Sequence, residues 1–336
     1  MKKLNVAVVG ATGAVGQEIL KVLAEREFPI NGLKLLASQR SAGKEIQYQG
    51  KNYIVEETTH ESFQGVDIAL FAGGSASKEF ARSAAKAGCV VIDNSSAFRL
   101  EPDVPLVVPE VNPEDVKWHK GIIANPNCST IQMVVALNPL HQAAKIKRVV
   151  VSTYQAVSGA GIEAIEELTK QTQAVLAGEE YPPQVFPYPI AFNLIPHIDV
   201  FEDMDYTKEE WKMVRETKKI LHDDNIAVTA TTVRVPVYRS HSESINIETE
   251  RKLTAAEARE ILRNSAGIIV VDNVQEKQYP MPLFTSNRDE VFVGRIREDN
   301  SLANGLNLWV VADQLRKGAA TNAVQIAELL VKYNCI

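Results

Sequence analysis

The residues best suited to covalent chemistry lie in the segment Asn127-Cys128-Ser129-Thr130. The turn-forming pair Asn125-Pro126 precedes it, and the apolar run 131–137 after it predicts a helix. Cys128 is therefore expected in the first turn of a helix, where unpaired backbone N–H groups and the helix dipole favour a negative charge. A thiolate is the reactive form of cysteine, and the same N–H groups could stabilise an oxyanion. On this segment alone, a buried structural cysteine is the alternative.

A glycine-rich loop near the N-terminus suggests a nucleotide. The segment 10–16 reads Gly-Ala-Thr-Gly-Ala-Val-Gly and stands between a predicted strand, 4–9, and a predicted helix, 14–26. Glycines allow the tight turn and the close approach of a pyrophosphate to the helix N-terminus. The spacing is G-x-x-G-x-x-G rather than G-x-G-x-x-G, so the motif alone is weak. Its place between strand and helix predicts dinucleotide binding, with a ligand-free turn as the alternative.

The end of the second predicted strand favours NADP over NAD. An NAD enzyme usually has Asp or Glu there to bond the ribose 2′-hydroxyl, but this chain has no acid between residue 38 and Glu45. Arg40 and the hydroxyl groups of Ser38 and Ser41 suit a 2′-phosphate instead. The alternative for Arg40 is an ordinary solvated surface arginine.

A thiol near a nicotinamide restricts the chemistry. A cysteine can attack an aldehyde to give a thiohemiacetal, which passes a hydride to the cofactor and leaves a thioester. In the reverse direction an acyl phosphate acylates the cysteine. The resulting thioester is then reduced to the aldehyde. Either direction needs an acid or base near the sulfur, and cations near the phosphate and the substrate carboxylate.

Several side chains could meet these needs. Among six histidines, His241 is the best acid or base, because the strand-like run that leads to it carries Arg234. Arg99 follows a predicted parallel strand at its carboxyl end, where ligands gather in doubly wound sheets. Glu209 and Lys212 share one face of a predicted helix. The alternatives are a structural histidine and, for the helical pair, a surface ion pair.

The elements that must position these residues change in type along the chain. Strands are predicted at 4–9, 33–37, 66–72 and 89–92, and helices at 14–26 and 77–87. This alternation indicates right-handed βαβ units. We therefore predict an α/β protein whose residues 1–128 form an NADP-binding, Rossmann-like domain with a doubly wound parallel sheet.

After Cys128 the pattern indicates an α+β domain. Strands are predicted at 149–154, 227–238, 244–248, 268–272, 291–296 and 307–311, and helices at 162–176, 207–221 and 254–264. We expect residues 129–312 to form a catalytic and dimerisation domain with a mixed, largely antiparallel sheet. Thr207 and Glu210 predict a capping box. A final helix over 313–333 places segment 313–336 back on the first domain.

Composition limits the class of protein. The 336 residues suffice for two domains, and 45% hydrophobic with 23% charged residues is typical of a soluble globular protein. A net charge of −6 without a basic cluster argues against a nucleic-acid partner. Three cysteines form no disulfide framework, and no apolar stretch is long enough to span a membrane. We expect a cytoplasmic protein that binds no membrane and needs no metal.

The chain resembles the bacterial aspartate-semialdehyde dehydrogenase family over essentially its whole length. The stretches that carry the resemblance are 8–16, 93–99, 125–130, 154–161, 209–212 and 234–241. Together they are far more specific than the glycine loop alone.

The resemblance implies a role for each matching residue. Cys128 would be the acyl-thioester nucleophile, His241 the acid or base, and Gln155 the residue that orients the acyl group. Substrate contacts would come from Arg234 to the α-carboxylate, from Glu209 to the ammonium, and from Arg99, Asn127 and Lys212 to the phosphate. Contacts with NADP would come from Gly10, Thr12, Gly13, Ala14, Val15, Ser38, Arg40, Ser41, Ser158, Gly159 and Gln314.

The resemblance also implies the reaction and the assembly. Family members reduce L-aspartyl-4-phosphate to L-aspartate 4-semialdehyde, on the route to lysine, threonine and methionine, and they are homodimers or homotetramers. Two other functions are alternatives. An N-acetyl-glutamyl-phosphate reductase would have no use for Glu209, because its substrate lacks a free ammonium. A redox sensor that binds NADP would use Cys128 without turnover.

Overall fold

The structure, a computed structural model, describes residues 3–336. They form two compact units, one of residues 3–127 with Ala319–Ile336 and the other of Cys128–Gly318. The division falls one residue before the predicted boundary after residue 128. At the other end, residues 313–318 belong to the second unit rather than to the returning C-terminal segment.

The first unit contains a parallel sheet with helices. Its strands are β1 (Leu4–Val9), β2 (Ile30–Ala37), β3 (Glu45–Tyr48), β4 (Lys51–Ile54), β5 (Glu56–Glu57), β6 (Ile68–Phe71), β7 (Val90–Asp93) and β8 (Ile122–Ala124). Its helices are α1 (Ala14–Glu25), α2 (Ser75–Lys86) and α8 (Thr321–Lys332). The order in the main sheet is β5-β2-β1-β6-β7-β8, with every pairing parallel.

This order makes β1 the centre of a doubly wound sheet. The chain passes from β1 to one side and then returns to the other side, so β1 and β6 flank the topological switch point where ligands bind in such folds. β1 is apolar almost throughout because both faces of the sheet are covered. The predicted α/β class with a Rossmann-like sheet is confirmed.

α8 rejoins the first unit, as predicted. Its apolar side chains, among them Val324 and Ile326, belong to the same core as Val6 and Val8 of β1. Asn322 adds polar contacts, because its Nδ2 donates to the Val107 carbonyl at 2.9 Å and to Asn125 Oδ1 at 2.6 Å.

The second unit is built on a mixed six-stranded sheet. Its strands are β9 (Ile146–Gln155), β10 (Ala227–Arg234), β11 (His241–Thr249), β12 (Ile268–Val270), β13 (Val291–Glu298) and β14 (Gly305–Ala312). Its helices are α3 (Cys128–Ala144), α4 (Ile162–Ala177), α5 (Lys208–Leu221), α6 (Ala255–Arg263) and α7 (Pro282–Thr285). The order is β10-β9-β11-β14-β13-β12, in which β9 pairs parallel to β10 and antiparallel to β11.

The two faces of this sheet differ in burial. On β9, residues 149, 151, 153 and 155 are buried, whereas Val150, Ser152 and Tyr154 on the other face are only partly buried. α3 supplies cover for the buried face, since its residue Gln132 bonds to the backbone of β11. The alternation follows from the period of two in a strand.

The sequence-based elements are mostly confirmed, with two corrections. The predicted helix over 313–333 is wrong at its start: a π-helical turn at Arg316–Ala320 precedes α8, and the Asp313 carboxylate accepts from the backbone N–H of Leu315 at 2.9 Å. The hairpin of β3 and β4 was not predicted, because its short strands are largely polar. The capping box of Thr207 and Glu210 is confirmed. Within residues 3–336, no helix has both the length and the apolar character to cross a bilayer.

Candidate active site

Cys128 is the first residue of α3, as the sequence predicted. Its thiol is partly exposed and is not in a disulfide. At this position the backbone N–H groups of the first helical turn have no partner further up the helix, and their partial positive charge favours a thiolate. The helix start therefore supplies one part of the activation that a nucleophilic cysteine needs.

Gln155, the last residue of β9, connects α3 with α5. Its Nε2 donates to Ser129 Oγ at 2.8 Å and to Glu209 Oε1 at 3.2 Å. The side chain is almost wholly buried. Both contacts fix the amide beside the residue that follows Cys128, in the position expected of a group that orients an acyl substrate.

Glu209 and Lys212 form a partly buried ion pair on α5 rather than a surface pair. Lys212 Nζ lies 3.0 Å from Glu209 Oε2 and 2.9 Å from Asp199 Oδ2. Burial alone would lower the pKa of Lys212, but the charge of Glu209 and the hydrogen bond to Asp199 outweigh it and raise the pKa. Lys212 is therefore a permanent cation, and Asp199 is a partner that the sequence analysis missed.

The structure separates Glu209 from its neighbour Glu210. Glu210 completes the capping box and its other oxygen, Oε1, accepts from the backbone N–H of Thr232 at 3.0 Å. Both of its oxygens thus hold the backbone of α5 and β10. Glu209 instead faces Gln155 and Lys212, so it is the carboxylate of this helix that belongs to the candidate site.

Arg234 ends β10 directly beside Gln155, its partner in the parallel register. The guanidinium is buried and its Nη1 donates to the Ala156 carbonyl at 2.8 Å. Burial lowers the pKa of Arg234, and the negative charges of Glu209 and Cys128 oppose that shift. The guanidinium keeps its positive charge. Arg234 and a Cys128 thiolate therefore attract each other electrostatically.

His241, the first residue of β11, has a fixed tautomer. Its Nδ1 accepts a hydrogen bond from the backbone N–H of Ala156 at 3.0 Å, so the proton of the neutral ring is on Nε2. Nε2 is buried and has no hydrogen-bond partner within residues 3–336. Burial, and then the nearby Arg234, lower the pKa of His241 to about 3. The ring therefore presents an unused N–H donor at neutral pH.

Gly159 lies against the side chains of Arg234 and His241. A Cβ at this position would be 2.9 Å from Arg234 Nη1 and 3.3 Å from His241 Nε2. Only glycine leaves room for both side chains. The adjacent Ser158 accepts a hydrogen bond from Gln314 Nε2, and Gln314 Oε1 accepts from the backbone N–H of Ser240 at 2.8 Å. Three predicted cofactor residues, Ser158, Gly159 and Gln314, are thus close to the start of β11.

The first unit contains the glycine loop and most of the other residues predicted to bind the nucleotide. Gly10 has a φ of +81°, and a Cβ on Gly16 would be 2.2 Å from the Gly10 carbonyl oxygen, so the loop is tight and α1 packs closely against it. Thr12 Oγ1 donates to Ser41 Oγ at 3.4 Å, which brings the glycine loop to the end of β2. An open cleft of about 310 Å³ adjoins them, and it is lined by residues including Gly10, Ser38, Gln39, Glu57 and Glu79.

These features fit a dinucleotide. Gly13 and Ala14 are at the N-terminus of α1, with Val15 in its first turn, where a pyrophosphate is favoured. Ser38 and Arg40 are exposed at the cleft end of β2. The carboxylates of Glu57 and Glu79 in the cleft lining would repel a 2′-phosphate, so a cation such as Arg40 is needed beside one.

Arg99 and Asn127 are also in the first unit. Arg99 Nε donates to the Asn125 carbonyl at 2.9 Å and Nη2 donates to the Asn94 carbonyl at 2.8 Å. These carbonyls follow β7 and β8, so Arg99 lies at the carboxyl edge of the sheet, as predicted. Asn127 is buried and adjoins Cys128 in the chain.

Some site residues gave no signal in the sequence. Asp199 lies in a proline-rich segment, and the Ala156 N–H that fixes the histidine tautomer is a backbone group. Ser129 was read only as part of the Cys128 segment, although it accepts from Gln155. Each role depends on contacts between elements far apart in the chain.

Comparisons with known proteins match both units of the chain. The family model described as semialdehyde dehydrogenase, NAD binding domain, matches residues 5–119, and that described as semialdehyde dehydrogenase, dimerisation domain, matches residues 137–317. The aspartate-semialdehyde dehydrogenase of Aquifex aeolicus is 64% identical over 99% of both chains.

Solved structures extend the similarity to the fold. The aspartate semialdehyde dehydrogenase II of Vibrio cholerae, complexed with ASA, has a TM-score of 0.96 at 50% identity over 99% of each chain. The Candida albicans enzyme, solved with NADP, has a TM-score of 0.78 at 28% identity over 100% of each chain. The glycine loop, the thiol and these matches define a semialdehyde dehydrogenase with a nicotinamide cofactor. Within that class, the chain belongs to the aspartate-semialdehyde dehydrogenase family.

Proposed function

We propose that this protein catalyses the reversible, NADP-dependent reductive dephosphorylation of L-aspartyl-4-phosphate to L-aspartate 4-semialdehyde, through an acyl-thioester on Cys128. The observation that carries the proposal is the position of Cys128 at the start of α3, within the electric field of buried Arg234. The product lies on the route to lysine, threonine and methionine. Similarity to the Aquifex aeolicus and Vibrio cholerae enzymes supports this choice of substrate.

Cys128 acts as the nucleophile. Its thiolate forms a C–S bond to the acyl carbon, and the bond to the phosphate oxygen breaks to release phosphate. The N–H groups at the start of α3 and the charge of Arg234 stabilise the thiolate, since His241 is neutral and does not pair with it as a cation.

His241 acts as a hydrogen-bond donor through Nε2–H. The Ala156 N–H occupies Nδ1, so the neutral ring donates only from Nε2. This donor stabilises the oxyanion of the thiohemiacetal that links the aldehyde to Cys128. In the oxidative direction the thiolate attacks the aldehyde and gives the oxyanion directly, so the same N–H group serves both directions.

The remaining side chains recognise the substrate. Arg234 uses one N–H on Ala156 and has further donors for the α-carboxylate. Glu209 binds the ammonium group, and Lys212 binds the phosphate with its charge maintained by the acidic neighbours. Gln155 orients the acyl group. Arg99 and Asn127 are also proposed to bind the phosphate.

NADP is the proposed cofactor. The nicotinamide exchanges a hydride with the substrate carbon when it is bound. Thr12, Gly13, Ala14 and Val15 hold the pyrophosphate, and Ser38, Arg40 and Ser41 hold the 2′-phosphate. Ser158, Gly159 and Gln314 are proposed as further contacts. The Candida albicans structure with NADP supports NADP as the ligand of this family.

Two observations disfavour the alternatives. Glu209 is a buried carboxylate that accepts a hydrogen bond from Gln155, and an N-acetylated substrate has no ammonium group for it to bind. A redox sensor usually keeps an accessible resolving cysteine. Cys89 is fully buried, and burial raises its pKa to about 12, so it is a poor candidate for that function.

The test is NADPH formation by the purified protein with NADP, phosphate and either aspartate semialdehyde or N-acetyl-glutamate semialdehyde. We expect turnover with aspartate semialdehyde only, and a loss of several orders of magnitude in Cys128→Ser, because a hydroxyl is a far weaker nucleophile. Absence of turnover with both aldehydes contradicts the enzyme. Wild-type turnover in Cys128→Ser contradicts the thioester route.

A homodimer is the proposed assembly. The match to a dimerisation domain over residues 137–317 supports an interface on the second unit. The partly exposed face of the second sheet, with Ser152, Tyr154, Ser244 and Trp309, provides a broad surface for a second copy.

A further inference from the structure

A buried acid lies on the strand that begins with His241. Glu243 is two residues further along β11, so the two side chains point to the same face of the sheet. Its side chain is fully buried, and neither carboxyl oxygen has a hydrogen-bond partner within the described part of the chain. A buried carboxylate without partners is very unfavourable, so its protonation state needs an explanation.

The residues around Glu243 supply no counter-charge. In the strand register it lies opposite Thr153 of β9 and Val310 of β14, neither of which is charged. From α3, Gln132 approaches the same carboxyl group. Burial raises the pKa of Glu243 well above its ordinary value, and the Gln132 side chain opposes that shift only in part. Burial without a counter-charge therefore favours the neutral carboxylic acid.

Of the neighbouring polar atoms, Gln132 Oε1 can only accept a hydrogen bond, whereas the Thr153 hydroxyl carries its own hydrogen. Gln132 Oε1 and Thr153 Oγ1 are buried, and neither has a hydrogen-bond partner among residues 3–336. An ionised Glu243 would add only acceptors to this cluster, whereas a protonated Glu243 adds one O–H donor. Thr153 and Glu243 are direct cross-strand neighbours, whose Cβ atoms are typically about 5 Å apart.

The cluster is joined to the candidate acid. Gln132 Nε2 donates to the backbone carbonyl of His241 at 3.3 Å. That contact and the Ala156 N–H on Nδ1 hold the histidine from two sides. The amide can point Nε2 at this carbonyl reliably only if its Oε1 is satisfied elsewhere.

We propose that Glu243 is a positioning residue for His241: as a protonated acid it donates a hydrogen bond within the cluster of Gln132, Thr153 and Glu243, and so fixes the Gln132 amide that bonds to the His241 backbone. This inference rests on the function proposed for His241. It adds a neutral buried acid behind the residue that donates the hydrogen bond to the substrate oxygen.

The test compares three variants of the full chain. Glu243→Gln keeps the size and offers an N–H donor without charge, so it should retain kcat within about threefold. Glu243→Leu removes both donor and acceptor, so kcat should fall by about tenfold or more with little change in the KM for NADP. Ile247→Ala, on the same buried face of β11, is the matched control for a general loss of stability.

Two readouts separate positioning from simple packing. Infrared spectroscopy at pH 7 should show the carbonyl band of a protonated carboxylic acid in wild type, and Glu243→Gln should lack it. The pH profile of kcat/KM should be the same in wild type and Glu243→Gln, since no charge is removed. If Ile247→Ala loses as much kcat as Glu243→Leu at a matched fall in Tm, the effect is packing alone.

Other outcomes overturn the proposal directly. A missing carbonyl band, or a pH profile that shifts in Glu243→Gln, would mean that Glu243 is ionised. Failure of the function proposed for His241 is a different result: His241→Gln would keep wild-type turnover, while the infrared band of Glu243 would be unaffected.

Discussion

Gly318 lies directly against Cys128. A Cβ atom at Gly318 would be 3.2 Å from Cys128 Cα, which is tight, and 2.8 Å from Cys128 Cβ, which is closer than real Cβ atoms come. The obstruction is backbone and Cβ rather than a flexible chain end, so one of the two segments would have to move. The turn before α8 therefore requires glycine because it packs against Cys128, the proposed nucleophile.

Gly318→Ala should reduce kcat by about 10- to 100-fold, because a displacement of the order of 1 Å at a reacting group can cost that much. The glycine has no left-handed φ, so backbone strain adds nothing to the effect. The KM for NADP should stay unchanged. Steady-state kinetics and the rate of thiol alkylation at Cys128 provide the measurement.

Gly32→Ala is the matched control. It also lacks a left-handed φ, and its added Cβ would approach only the Asn5 side chain, at 3.0 Å. We expect wild-type kcat in this variant. Equal losses in the two glycine variants would count against a specific effect on Cys128.

The pH dependence of stability should reveal the neutral His241. Its folded-state pKa of about 3 is below the ordinary value of 6.5. Between these values the unfolded chain binds a proton that the folded chain does not, so the free energy of unfolding falls as the pH drops from 6.5 towards 3. Above pH 7 the group contributes no slope.

His241→Gln should therefore lose less stability than wild type between pH 7 and pH 5. Urea unfolding at both pH values measures the difference for each protein. Glu243 acts in the opposite direction, because its raised pKa keeps a proton on the folded chain, but it is common to both proteins and cancels. A parallel pH dependence in wild type and variant would show that His241 titrates normally.

Structural features that depend only on residues close together in the chain can be predicted from the sequence. The capping box of Thr207 and Glu210 and the helix start at Cys128 are local patterns, and both are confirmed. The glycine loop was found because its residues are consecutive between β1 and α1.

What the sequence could not predict depends on contacts between distant segments. Gly318 and Cys128 are at opposite ends of the second unit in sequence, so nothing near either residue predicts that they touch. Asp199 pairs with Lys212 from an irregular segment without a periodic pattern. The unpaired polar atoms around Glu243 come from three elements, α3, β9 and β11, and only the packing of these elements brings them together.

Arg40→Ala should remove the preference for NADP. A charge-assisted contact to a 2′-phosphate is worth roughly 10- to 100-fold in affinity, so the KM for NADP should rise by that factor and the KM for NAD should change little. The carboxylates of Glu57 and Glu79 in the cleft increase the loss. Arg82→Ala, an exposed arginine paired with Glu101 in the same unit, is the control. A retained preference would assign the 2′-phosphate to another residue.

Arg234→Lys should chiefly weaken substrate binding. Lysine is a point charge without the planar fork that grips both carboxylate oxygens, and it would also lose the present geometry of the bond to the Ala156 carbonyl. We expect the KM for aspartate semialdehyde to rise by about tenfold or more, with a smaller fall in kcat. The KM for NADP serves as the internal control. An unchanged KM for the aldehyde would place the carboxylate site elsewhere.

Ser244→Arg should convert a dimer to a monomer. Ser244 is exposed and lies opposite Ser152 and Trp309 in the second sheet, so an isolated chain accommodates an arginine there. A second copy on this face would bury the two symmetry-related charges without partners, which costs several kcal/mol. Sedimentation velocity measures the change in mass. Gln47→Arg, an exposed position on β3 of the first unit, adds the same charge away from the proposed interface and should leave the dimer intact. If Ser244→Arg sediments with the wild-type mass, the two copies meet through another surface of the second unit.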